Sequence, residues 1–263
     1  MRDRTAQDAE GTAFFAPGAY LPAVLRYRVI EDALGAFFRT RWAARAYAAH
    51  RHLALDDFLR AALALKGISP LAVAKQAAGV PARGPLVVVA NHPRGLIDGL
   101  IMLFLLNTAR DDVRLLANRR LEDLAPLGRQ VLAVGPSPAD NRRLIRDALG
   151  HLAAGGCLLV FPAGTVAHFD WRRGAVAEAP WHPLAFWLAR RAAAPILPVR
   201  LYGRNSRAFD VLAAVSRIAR TVCLLREFAG TGPADGRLDV GEALPPAAAD
   251  GPARAFSTGE DQS

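Results

Sequence analysis

The sequence predicts a single α/β domain, a mixed and mainly parallel sheet flanked by helices and preceded by an N-terminal helical segment. Three observations carry this expectation. Residues 86–106 (LVVVANHPRGLIDGLIMLFLL) run from an unbroken β-branched stretch, Val87, Val88 and Val89, through a polar turn into an apolar segment long enough for a buried helix. A strand that is apolar at every position is one covered on both faces, the usual surroundings of a parallel strand. Further short apolar runs alternate with helical patterns along the chain, the order that generates βαβ units. Finally, 263 residues at 52% hydrophobic and 22% charged supply one sizeable core.

Taken in order, residues 1–18 are polar and irregular and read as a flexible tail, and residues 19–75 read as the helical segment. A helical pattern starts at Pro22, whose missing N–H costs least in a first turn. Val29, Ile30, Leu34, Phe37 and Phe38 share one broad face, with Arg26, Arg28, Arg39 and Arg41 around it. A second helix is expected over 55–66, with Asp56 and Asp57 at its positive end. This region fits either a helical cap on the sheet or an Arg-flanked amphipathic surface that docks on anionic lipid.

The α/β core is expected over 76–244, entered through a Gly- and Pro-rich linker at 76–85. Strands are predicted at 113–117 and 130–134, the second ended by Gly135-Pro136-Ser137-Pro138. A helix over 139–153 carries Leu144, Ala148 and Leu152 in one row and is stopped by Gly155 and Gly156. Residues 157–161 (CLLVF) form another buried strand, and 168–183 read as a polar, Arg-rich loop. A helix at 184–191, a strand at 196–202, an amphipathic helix at 206–220 and an edge strand at 237–240 complete the pattern. From 245 to 263 the Pro-, Ala-, Gly- and Asp-rich composition reads as a disordered tail.

The net charge is +9 and is carried almost wholly by arginine, since Lys66 and Lys75 are the lysines. Such a surface attracts nucleic acid, anionic lipid or phosphorylated substrates alike. No aromatic-interleaved basic motif and no Cys/His zinc spacing is present, which argues against nucleic acid. Cys157 and Cys223 sit in apolar runs and read as buried free thiols in a reducing compartment. No apolar signal-peptide core and no stretch of about 18 apolar residues is found. The expected location is therefore cytoplasmic, peripheral on the inner face of the cell membrane.

The chemistry is expected at the break between the central strand and its helix. His92 and Asp98 are six residues apart, which places them on different faces of any continuous helix. They meet only if His92 occupies the turn and Asp98 the first helical turn behind it, with Pro93 and Gly95 supplying the bend. In that geometry the carboxylate fixes the imidazole tautomer, and the other ring nitrogen takes a proton from a substrate. The alternative is a helix-capping Asp98 with His92 as an ordinary turn residue.

The block Asn91-His92-Pro93-Arg94-Gly95-Leu96-Ile97-Asp98-Gly99 resembles the first motif of the glycerolipid acyltransferase superfamily, whose members include lysophosphatidic acid acyltransferases. Phe161-Pro162-Ala163-Gly164-Thr165 resembles its Phe-Pro-Glu-Gly-Thr block, and Ile196-Leu197-Pro198-Val199 its later Val-Pro-Val segment. Asp170-Trp171-Arg172-Arg173, Pro180-Trp181-His182-Pro183 and Gly203-Arg204-Asn205-Ser206-Arg207 are more similar to a bacterial hemolysin-like, ornithine-lipid-related branch. The resemblance spans roughly residues 58–244, with three motifs in order.

It implies a glycerol-3-phosphate acyltransferase-like fold and acyl transfer from acyl-CoA or acyl-carrier protein to a lysophospholipid or glycerol-phosphate hydroxyl. His92 is implied as general base with Asp98 as its partner. Asn91, Arg94, Gly95, Phe161, Pro162, Gly164, Thr165, Arg204 and Asn205 are implied at the substrate, with Arg207 a further anion contact. No metal and no bound cofactor are implied, the acyl donor being a co-substrate. The implied partners are a lipid surface and an acyl-carrier protein. Two departures stand out: five residues separate His92 from Asp98 where the common motif has four, and Ala163 replaces the block's glutamate. Whatever that carboxylate does in relatives is absent here or supplied elsewhere. Acylation of amino-acid lipids, a thioesterase and a non-catalytic lipid-binding module are the alternatives; a Gly-x-Ser-x-Gly elbow, which a serine hydrolase would use, is missing.

Overall fold

The computed structural model of the chain describes residues 37, 39–215, 217–230 and 236–246. The helix expected from Pro22, the N-terminal tail and nearly all of the C-terminal tail lie outside the described residues.

Six strands form the main sheet: β1 (Leu86–Ala90), β2 (Val113–Asn118), β3 (Val131–Val134), β4 (Cys157–Val160), β7 (Ile196–Leu201) and β8 (Leu238–Val240), in the order β3-β2-β4-β1-β7-β8. Every pairing is parallel except β7 with β8, an antiparallel edge. β1 is central, hydrogen-bonded to β4 on one side and β7 on the other. This explains its composition, because all five of its side chains are buried.

Alternate β1 residues feed two cores. Leu86, Val88 and Ala90 join the cluster on one face, and Val87 and Val89 the cluster on the other. The first face is covered by α1 (Thr40–His50), α2 (Leu55–Leu65), α3 (Pro70–Ala74) and α4 (Leu96–Ala109). α4 is apolar almost all round because α2 and α3 cover the side turned away from the sheet. On the second face lie α5 (Pro138–Ala153) and α6 (Leu184–Arg191). Ser137 starts α5 reciprocally: its Oγ accepts from Asp140 N–H at 3.1 Å, while Asp140 Oδ2 accepts from Ser137 N–H at 3.3 Å. The mainly parallel, two-sided α/β architecture read from the sequence is the one observed.

Two expectations are corrected. Residues 168–183 are not simply a loop, for they contain a β-hairpin, β5 (His168–Asp170) and β6 (Ala175–Ala177). Strands of three residues are too short to show alternation, and the turn residues between them dominated the reading. The expected helix at 206–220 is two helices, α7 (Arg207–Val215) and α8 (Arg217–Phe228). Arg220 of α8 donates from Nε and Nη2 to the Ala213 carbonyl at 3.2 and 3.0 Å, so a side chain of one helix caps the end of the other.

Arg110 ties down the amino ends of the strands. Its guanidinium donates to the carbonyls of Pro81, Gly84 and Gly155 at 2.9 Å and meets Asp112 at 2.7 Å through both Nε and Nη2. These acceptors precede β2, β4 and β1, three neighbouring strands of the sheet. The Arg110 hydrogen bond holds the Asp112 carboxyl below its ordinary range. Replacing Arg110 with methionine is expected to cost about 3–5 kcal/mol in urea unfolding, because three carbonyls and a carboxylate lose a charged donor. Part of that gap closes in acid. A lowered folded-state pKa stabilises above the unfolded value, near 4 for aspartate, and its contribution disappears as pH falls through the folded value.

Candidate functional site

The carboxyl ends of β4, β1 and β7 lie side by side, so the segments that follow them converge. Ligands of open α/β sheets bind at this edge. Asn91 extends the β1–β7 pairing with its side chain: its amide donates to Leu201 C=O at 2.9 Å and accepts from Leu201 N–H at 2.6 Å. Asn91 is thus committed to holding the turn on the sheet.

After Asn91 the chain turns through His92-Pro93-Arg94-Gly95 into α4. Gly95 has φ +74° and ψ −117°, a conformation nearly closed to other residues, and a Cβ there would lie 2.5 Å from Leu224 and 2.9 Å from Val166. This bend brings Asp98, the third residue of α4, back beneath the turn. Asp98 has no exposed surface. Its Oδ2 accepts from the backbone N–H groups of Arg94 at 2.6 Å and Gly95 at 3.0 Å, and its Oδ1 from Arg94 Nε at 3.1 Å. The same Oδ2 lies 3.4 Å from His92 Nδ1. The carboxylate that caps the helix therefore also lies within ion-pair distance of His92 Nδ1. The five-residue spacing is absorbed in the turn.

His92 Nδ1 is buried and makes no hydrogen bond among the described residues, its closest acidic neighbour being that Oδ2. Catalytic contacts of this length are common before substrate binds and shorten afterwards. The imidazole stacks on Phe161, with centroids 4.1 Å apart and planes at 25°. The His92 carbonyl accepts from Ala167 N–H at 3.0 Å, which fastens the turn to the segment after β4.

In that segment Gly164 has φ +64°, is exposed, and donates its N–H to Phe161 C=O at 2.9 Å. Thr165 Oγ1 accepts from Arg220 Nη1 at 2.9 Å. Pro162 is buried and accepts from His182 N–H at 2.9 Å. Arg94 is only 3% exposed, and its Nε is engaged by Asp98. Asn205 donates to Pro93 C=O at 3.1 Å, so it belongs to the wall of the turn. Arg204 is 76% exposed, 4.0 Å from Asp210. Arg207 is exposed at the start of α7.

Sequence reasoning missed Glu178. Its Oε1 accepts from His92 N–H at 2.6 Å and its Oε2 from Trp181 Nε1 at 2.8 Å. Burial pushes its carboxyl pKa up, while these two hydrogen bonds pull it down. Ala163 packs instead against the apolar cluster that contains Trp181. His92 thus has a second carboxylate beside it, delivered by the hairpin after β4. The signal in the sequence was faint, a lone glutamate three residues before a tryptophan. Among the described residues no group of three His, Cys, Asp or Glu side chains gathers as a metal site would need, and no helix is long and apolar enough to cross a membrane.

Residues 73–202 match the family model described as Acyltransferase. A lyso-glycine lipid O-acyltransferase of Bacteroides thetaiotaomicron is 27% identical over 165 residues, covering 61% of this chain and 56% of that protein. One from Phocaeicola vulgatus is 24% identical over 162 residues, with 61% and 54% covered. The chain thus spans about half the length of the relatives it matches. The crystal structure of the 1-acyl-sn-glycerophosphate acyltransferase PlsC from Thermotoga maritima superimposes with a TM-score of 0.42 at 17% identity, over 93% of this chain and 88% of that one.

The bend at Gly95 generates a direct expectation. Gly95→Ala adds about 1–2 kcal/mol of backbone strain and about 1–3 kcal/mol of overpacking against Leu224 and Val166. Chemical denaturation should show a loss of about 2–5 kcal/mol, whereas a loss under about 0.5 kcal/mol would mean the turn is not built as described.

Proposed function

Residues 73–202 are an acyltransferase domain of the glycerolipid acyltransferase superfamily, and from that premise we propose that the chain esterifies the free hydroxyl of a lysolipid with an acyl group taken from a thioester. The single observation that carries the reading is His92 at the carboxyl end of the central strand, with Nδ1 turned to the buried Asp98 carboxylate. In this reading Nδ1 holds the proton and Nε2 is the base. Nε2 takes the hydroxyl proton as the acceptor oxygen attacks the thioester carbon. A tetrahedral oxyanion results, and we assign the N–H groups of Leu96 and Ile97, at the positive end of α4, as its donors. Collapse breaks the carbon–sulfur bond, and the imidazolium returns the proton to the leaving thiolate. The products are an ester and a free thiol.

The acyl chain of the donor has a matching surface nearby. An apolar groove lined by Tyr47, Phe58, Leu96, Leu100, Leu124 and Phe228 runs along α4 from its first turn. We assign Gly164 and Thr165, in the segment that Ala167 fastens to the His92 turn, to the acceptor's head group. Two relatives named for O-acylation of a lyso-glycine lipid favour oxygen over nitrogen as the acylated atom and an amino-acid lipid as acceptor. Ala163, which offers no carboxylate in that segment, agrees with an acceptor other than lysophosphatidic acid. CoA or an acyl-carrier protein supplies the thioester.

The test is a panel of lyso-amino-acid lipids and lysophospholipids, each offered with acyl-CoA and with acyl-carrier protein, the products weighed by mass spectrometry. A diacylated ester is expected, with the amino-acid lipid preferred. His92→Ala should lower kcat by about 10²–10⁴-fold, the range for loss of a general base, and Asp98→Asn should lower it in the same direction with little change in KM. Release of free fatty acid without an acylated acceptor would instead make the domain a hydrolase.

A further inference from the structure

The chemistry above leaves unused the most exposed aromatic side chain on the described surface, at the tip of the β5–β6 hairpin. Trp171 is 69% exposed, and Arg172 and Arg173 beside it are exposed as well. The indole meets Phe169 edge-on at 5.0 Å and otherwise faces outward. Leaving a tryptophan in water forfeits the burial that usually justifies one.

The tip is also firmly built. Asp170 Oδ1 accepts from Arg172 N–H at 2.8 Å, and the Asp170 carbonyl accepts from Arg173 N–H at 3.1 Å and Gly174 N–H at 2.9 Å. Gly174 completes the reversal with φ +63°. The acidic group at the tip is Asp170, whose carboxylate lies 3.7 Å from Arg173, so Arg172 leaves the tip net positive. β5 is braced on α7. At its other end β6 runs straight into Glu178, which grips the His92 backbone.

We propose that Trp171-Arg172-Arg173 is the finger that seats the protein on an anionic phospholipid surface. An indole rests at the depth of the head groups, apolar body inward and N–H outward, while guanidinium groups grip lipid phosphates. The chain's net charge of +9 favours the same partner. The hairpin then registers the active site against the membrane, because one short element joins the finger to the clamp on the base. The inference rests on the lipid-acceptor reading above and specifies how such a substrate is reached. An acidic carrier protein could also meet two arginines, but it gives no reason for an outward indole.

The experiment uses the full chain, vesicles of phosphatidylcholine with or without phosphatidylglycerol, and two variants, Trp171→Ala and the double change Arg172→Gln with Arg173→Gln. Wild type should sediment with the phosphatidylglycerol vesicles, and each variant should bind them about tenfold more weakly at unchanged thermal stability. Transfer to a lysolipid embedded in those vesicles should fall in parallel, while transfer to a short-chain acceptor dissolved as monomer stays at the wild-type rate. Variants that bind vesicles like wild type overturn the inference. So does an equal loss with the dissolved acceptor, which would mean the hairpin acts only on His92, and so does a defect confined to the carrier-protein donor. If wild type acylates no acceptor the proposed function fails, yet the vesicle arm still decides this inference by itself.

Discussion

A carboxylate stripped of water has to be surrounded by donors, and Asp98 meets that requirement with three N–H groups while leaving one side of Oδ2 toward His92. Burying a charge without such partners costs several kcal/mol. The Arg94 side chain and the backbone of the turn are therefore spent on the acid, and little freedom remains in where the histidine can sit. The entry of α4, the sharp bend at Gly95 and the burial of Arg94 all follow from satisfying one group. On the proposed mechanism function and folding share this carboxylate, since the group that starts the helix would also orient the base.

The rest of the fold holds that turn from both ends of the sheet. At the amino edge Arg110 gathers the segments leading into β1, β2 and β4. At the carboxyl edge the Asn91 side chain extends the ladder to β7, Asn205 bonds Pro93, and Glu178 bonds His92. The imidazole is left with an aromatic face on Phe161, an acid at Nδ1 and about a fifth of its side-chain surface open, 18%. A ring held by an aromatic face and an acid, with the remainder accessible, suits the proton transfer proposed for it.

Much of this was legible because strong patterns carried it. The unbroken valines of β1, the apolar length of α4 and the Gly-Gly stop after α5 each have one economical physical reading, and the structure bears them out. His92 and Asp98 were legible as a pair only through the turn that Pro93 and Gly95 permit. Other features depend on tertiary placement, and no local pattern announces them. Arg110 resembles any surface arginine until three carbonyls are found around it. The split between α7 and α8 is hidden by an apolar period that continues through it, and the cap from Arg220 is visible only in three dimensions. Glu178 arrives from a hairpin whose strands are too short to alternate. Arg94 is the converse case, for its place beside His92 suggested an anion contact, whereas in the structure its Nε donates to the buried Asp98 carboxylate.

The central claim is that Asp98 fixes the tautomer of His92, and nitrogen NMR of the histidine-labelled protein reads this directly, with the His92 signals assigned by their loss in His92→Gln. The neutral ring is expected to carry its proton on Nδ1 and leave Nε2 bare, and this preference should collapse in Asp98→Asn. A wild-type ring protonated on Nε2, with bare Nδ1 facing the carboxylate, would contradict the account.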